Sequence, residues 1–188
     1  MSEHTLNHAI AARIRALRTA RGLTLDALAE RSGVSRSMIS TIERGESSPT
    51  AVLLERLAAG LGATLASLFE RPDQAAAPVA RLADQPVWRD PGSGYVRRNV
   101  SPAGSASPIQ IVAVEFPPGA RVTYETGARD APVHQQVWVQ QGTIEVTVGD
   151  ATHCLAAGDC LAFVLDRPTA FYNPGTGVAR YAVVIVSR

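Results

Sequence analysis

The segment GLTLDALAERSGVSRSMISTIERGESSP, residues 22–49, constrains this chain more than any other. Apolar side chains recur at helical spacing through Leu25, Leu28 and Ala29. A Gly33-Val34 pair interrupts the period, and Val34, Met38, Ile39 and Ile42 resume it as a buried stripe. Two short helices joined by a glycine turn satisfy that pattern. On the second helix, the positions outside the stripe are Arg36, Ser37, Ser40, Thr41 and Arg44, a small, polar, basic face with no acid on it. A helix with such a face, braced by another across a turn, fits the major groove of duplex DNA.

Helical period extends on both sides of this pair. Ile10, Ile14 and Leu17 share one face of a first helix that ends near Gly22. Ser48 is expected as an N-cap with Pro49 in the first helical position. Leu53, Leu54, Leu57, Ala58 and Leu61 then line a fourth helix closed by Gly62, and Leu65–Phe69 makes a short fifth. Beyond the Pro- and Ala-rich stretch that starts at Arg71, the pattern changes to short β-branched runs bounded by Gly, Pro, Asn or Asp. These are 109–116, 133–139, 143–148, 160–165 and 181–186, and their spacing predicts an all-β sandwich or barrel. The expected fold class is therefore α+β in two domains: a five-helix bundle over 1–71, a linker over 72–84 and an all-β domain over 85–188.

Bulk charge does not make this a nucleic-acid binder. The 188 residues carry a formal net charge of +1, and all 18 basic residues are arginines. Residues 1–71 hold nine Arg against seven Asp and Glu, and residues 72–188 hold nine against ten. DNA binding must then rest on where the arginines stand. The two cysteines, Cys154 and Cys160, do not form a disulfide framework. They are read as small buried hydrophobes, with thiol sensing or metal binding as the alternatives. No run of 18 apolar residues occurs, so a soluble, cytoplasmic protein without a membrane partner is expected.

Residues 8–70 resemble the phage-repressor and Cro-like (XRE-type) helix-turn-helix family through LAERSGVSRSMISTIERG, a Ser-Pro helix start and LAAGLGATLASLF. The resemblance implies binding to double-stranded palindromic operators as a homodimer. It makes Ser35 the cap of the recognition helix, and Arg36, Ser37 and Thr41 the residues that reach base edges. Ser40 and Arg44 would touch phosphate, as would free amides around Thr50. Arg18 aligns with a family arginine that pairs with the glutamate matching Glu43. Leu25 stands where many members carry a phosphate-binding glutamine.

The second half resembles the cupin family of small β-barrels (jelly rolls). The matching pieces are Pro118-Gly119, HQQVWVQQGTIEVTVGD (134–150) and LAAGDCLAFVLDRPTAFYNPG (155–175). The family's metal-ligand positions fall on Gln135, Thr169 and the neighbourhood of Arg129 and Ala131, and its closing asparagine on Asn173. Amide and hydroxyl groups are poor ligands for a divalent transition metal, so neither metal nor other cofactor is expected. His134 is read as a surface or interface residue and His153 as a solvated turn residue. What remains is a small neutral pocket in which Gln135, Thr169, Tyr124 and Arg129 bind a small-molecule effector. Trp138, facing outward with Gln136 and Gln140, suits a dimer interface. Two alternatives stay open: a DNA-tethered, metal-dependent cupin enzyme such as a dioxygenase or isomerase, and a constitutive repressor whose barrel is structural only.

Overall fold

In a computed structural model, the described residues are 3–70, 77–105, 107–125 and 132–187. Four α-helices come first: α1 (Glu3–Ala20), α2 (Leu25–Ser32), α3 (Arg36–Glu43) and α4 (Ala51–Gly60). The expected fifth α-helix is instead a 3-10 turn, Ala66–Phe69, in which the Glu70 amide closes onto the Ser67 carbonyl. Four residues are too few to settle into i→i+4 bonding. Leu6, Ile10, Ile14, Leu28, Ile39, Ile42, Leu54, Leu57 and Leu61 bury the shared core. Met38, expected in that stripe, is 38% exposed. It lies one residue before Ile39, about 100° around the helix from it.

The turn between α2 and α3 needs glycine. Gly33 sits at φ +66°, and its amide bonds the Ala29 carbonyl, ending α2 in the left-handed conformation that a side chain disfavours. Thr24, Ser35 and Thr50 are the N-caps of α2, α3 and α4. The α4 cap is thus Thr50, not Ser48, and Pro49 lies outside the helix. A distant residue explains the shift: the Ala51 amide donates to Oδ1 of Asp90 at 2.9 Å.

Ten strands follow: β1 (Val87–Arg89), β2 (Val96–Asn99), β3 (Ile109–Phe116), β4 (Arg121–Tyr124), β5 (Val133–Gln141), β6 (Thr143–Val148), β7 (Ala151–Ala156), β8 (Cys160–Val164), β9 (Thr169–Tyr172) and β10 (Ala179–Ser187). They form two antiparallel sheets, ordered β1-β2-β3-β10-β5-β8 and β4-β9-β6-β7. The result is an open jelly-roll sandwich rather than the closed barrel allowed for by the sequence, because the ladder does not continue around its edges. Gly142, at φ +78°, carries the chain from the first sheet to the second. Fully buried Asn173 holds the far end, donating to the carbonyls of Phe116 and Gly177 at 2.9 Å each.

Strand alternation explains two further corrections. Leu155 points inward and Leu161 is half-buried, so their neighbours Cys154 and Cys160 point out and are exposed, free thiols. His153 lies within β7, not in a turn, and is exposed.

The helical head is docked on the strands. A chain of rings runs Phe69, Trp88, Tyr95, Phe116, Tyr181, Phe171, Tyr124, with neighbouring centroids 5.6 to 6.1 Å apart. Around it, Thr64 Oγ1 donates to Gln110 Oε1 at 2.8 Å, and Asn99 Nδ2 donates to the Ala66 carbonyl at 3.1 Å. Asp90, 3% exposed, also accepts from the Ser93 amide and hydroxyl at 2.7 Å each. Asp90→Ala strands the Ala51 amide away from water and should cost about 2–3 kcal/mol. Asp90→Asn, which keeps an acceptor, should cost less. Urea unfolding gives the loss, and faster hydrogen exchange at the Ala51 amide marks its place.

Candidate nucleic-acid interface and interior cavity

The exposed side of α3 is built by three devices. Ser35, in extended conformation, accepts from the Met38 amide at 3.3 Å and starts the helix. Ile39 and Ile42 hold the opposite side in the core. Arg18 of α1 then grips Glu43 at the helix end, Nε to Oε1 at 2.7 Å and Nη2 to Oε2 at 2.8 Å, while its Nη1 bonds the Leu23 carbonyl at 2.9 Å. Donation to Glu43 raises the pKa of this guanidinium, against a smaller opposing effect of burial. Both side chains are largely buried, at 16% and 7% exposure, so the fork sets the angle at which α3 leaves the core.

Arg36, Ser37 and Arg44 are exposed, while Ser40 and Thr41 are half-buried. The face carries no acid of its own, yet acids lean over it. Arg36 Nε lies 3.2 Å from Oδ1 of Asp26, and Arg44 meets Glu46 through two bonds of 2.7 and 2.8 Å. Arg44 also donates to the Ser40 hydroxyl, and Thr41 Oγ1 donates to the Ser37 carbonyl at 3.0 Å. Water screens solvent-exposed pairs of this kind, so both guanidinium groups are available to a phosphate or a base.

Thr50 stands apart from that face. Its hydroxyl accepts from the Leu53 amide at 3.4 Å, and the neighbouring Ala51 amide is taken by Asp90. One of the spare amides at the start of α4 is thus taken by a carboxylate of the same chain.

The strands bring together Gln135, Thr169 and Tyr124 around an interior cavity of about 60 Å³. Arg129 and Ala131 lie outside the described residues. His134 is exposed on the opposite side of β5 from Gln135. The donor set at the cupin-type metal positions, an amide and a hydroxyl, does not fit a divalent transition metal. Arg97, which the sequence gives no reason to single out, also lines the cavity and is 6% exposed. A strand arginine among Arg98 and Asn99 reads as surface, and here it is covered by residues of the head and of the strands together.

The geometry so far defines a class: a helix-turn-helix head joined to a two-sheeted jelly roll. Comparison with known proteins agrees. The helix-turn-helix family HTH_3 matches residues 14–68. Over 172 residues the chain is 28% identical to the HTH-type transcriptional regulator SutR of Escherichia coli, covering 92% of this chain and 91% of that protein. It is 25% identical over 169 residues to the HTH-type transcriptional regulator PuuR of the same organism, covering 89% of each. A crystal structure of an HTH_3 family transcriptional regulator from Vibrio cholerae superposes with a TM-score of 0.79 at 25% identity, covering 98% of both chains. Residues 14–68 are an HTH_3 (XRE-type) domain, and the chain is a DNA-binding transcriptional regulator with a β-rich second region.

Removing Arg18 leaves Glu43 charged and shielded from water. Arg18→Ala should destabilise the head by about 2–3 kcal/mol, at the low end for broken buried pairs because the arginine keeps some exposure. Urea unfolding with an unchanged slope is the check.

Proposed function

We propose that the chain binds inverted-repeat operators as a homodimer, and that its second region senses a small molecule rather than catalysing a reaction. The observation that carries the first part is the Arg36, Ser37, Ser40, Thr41 and Arg44 face, presented at a fixed angle by the Arg18–Glu43 fork. In this reading Ser35, Arg36 and Ser37 open the helix at the base edges with Thr41 one turn on, while Ser40 and Arg44 reach phosphate. Two such helices must enter successive major grooves about 34 Å apart. The functional division follows 1–71 for the head, 72–84 for the linker and 85–188 for the sensor. The chain would act in the cytoplasm, where the chromosome is.

The second copy would join through the outward face of the six-stranded sheet. Cross-strand neighbours there are Trp138 with Cys160 and Ala182, Gln136 with Ala162 and Val184, and Ile111 with Val184. Trp138 is 49% exposed and Ile111 37%, an apolar surface suited to a self-complementary two-fold contact. A sensor is favoured over a metal-dependent enzyme by Gln135 and Thr169, whose amide and hydroxyl are poor ligands for a divalent transition metal.

Two experiments test these parts. Arg36→Ala should weaken operator binding by about 1–3 kcal/mol and relax selectivity at one base pair of each half-site. Equal losses on operator and random DNA would make Arg36 a phosphate contact only. Trp138→Arg should sediment as a monomer and bind a full operator no better than a half-site. A variant that remains dimeric would exclude this face.

A further inference from the structure

The cavity contains a guanidinium with two unbonded nitrogens. Arg97 of β2 is 6% exposed, and its Nε and Nη2 are buried with no hydrogen-bond acceptor. One side of the guanidinium is occupied, since its carbon lies 5.2 Å from the centre of the Phe69 ring. Stacking satisfies the flat face of the group and leaves its N–H edge unanswered. Thr169 Oγ1, on a residue 1% exposed, is likewise buried without a partner and lines the same cavity. Tyr95 and Tyr124 meet there hydroxyl to hydroxyl at 3.2 Å, and Gln135 adds an amide. Burial raises the pKa of Tyr95, so its phenol stays a neutral donor.

We propose that this cavity is the binding site for a small monocarboxylate, anchored by Arg97 and completed by Thr169, Gln135 and the tyrosine pair. The proposal rests on the sensor reading and names its ligand class. A buried guanidinium edge and a carboxylate match in geometry and charge, and forming that pair gives acceptors to the two unbonded nitrogens of Arg97. Size limits the class: about 60 Å³ holds on the order of four waters, hence a ligand of roughly four to six non-hydrogen atoms.

The walls come from both parts of the chain. Glu55 belongs to α4, Thr64 and Leu65 follow it, and Phe69 beneath Arg97 ends the head, whereas the remaining walls are strands. A ligand held here touches the DNA-reading head and the jelly roll at once. Its occupancy can therefore favour one placement of the heads over another.

The test uses thermal unfolding and calorimetry of the full chain with sodium propionate, its neutral isostere propionamide and inorganic phosphate, at matched ionic strength. Propionate at 100 times its dissociation constant should raise the folding equilibrium about 100-fold, propionamide should do nothing measurable, and phosphate should bind more weakly than propionate. Arg97→Met removes the charge and keeps the bulk. It should unfold no earlier than the parent without ligand, and should lose the propionate response. Thr169→Val should weaken the response while leaving Arg97 in place. Equal shifts by propionate and propionamide, a retained response in Arg97→Met, tighter binding of phosphate, or no shift by formate, acetate, propionate or pyruvate would each overturn the carboxylate site. The sensor reading fails separately, if propionate binds yet operator affinity in its presence is unchanged.

Discussion

One carboxylate ties the start of a head helix directly to the strand region. Asp90, in the turn between the first two strands, caps the start of α4 in the head while its second oxygen closes its own turn on Ser93. A helix start has spare amides that must be satisfied, and here the strand region satisfies one of them. Beside this cap, Phe69 of the head packs on Trp88, and the rings continue to Tyr124 in the second sheet. The head is thus seated on the strands by a directional bond and a run of apolar contacts together. Burial of Arg97, and the enclosure of the cavity, follow from that seating.

Much of the head was legible in the sequence because its information is local. The 3.6-residue period and the glycine at the α2–α3 turn act within a few turns of chain, whereas the Arg18–Glu43 pair, 25 positions apart, was expected only from the family resemblance. The start of α4 was misplaced by two residues because its deciding partner is 39 positions away. The final turn was read as α-helix because apolar periodicity does not separate four residues of 3-10 from a short α-helix.

The strand region was legible where runs were long. The five predicted strands are present, while β1, β2, β4, β7 and β9 were not anticipated. Strands of three or four residues carry too few alternations to register, and β7 is exposed at nearly every position. Gln135 and Thr169 were located by motif register and do line the cavity. Arg97 escaped notice for a physical reason: nothing near it in sequence distinguishes it from Arg98, and most of its environment comes from residues far along the chain.

The acids that lean over the recognition helix have a thermodynamic consequence. Asp26 and Glu46 already share the charge of Arg36 and Arg44 before any nucleic acid arrives. Under the proposed binding mode those carboxylates stay close by, and the net positive charge delivered is smaller than the number of guanidinium groups suggests. Cations condensed on the double helix are expelled in proportion to that net charge. Attachment should accordingly fall off gently as salt is added, leaving base-edge contacts rather than ionic attraction to dominate the choice of site.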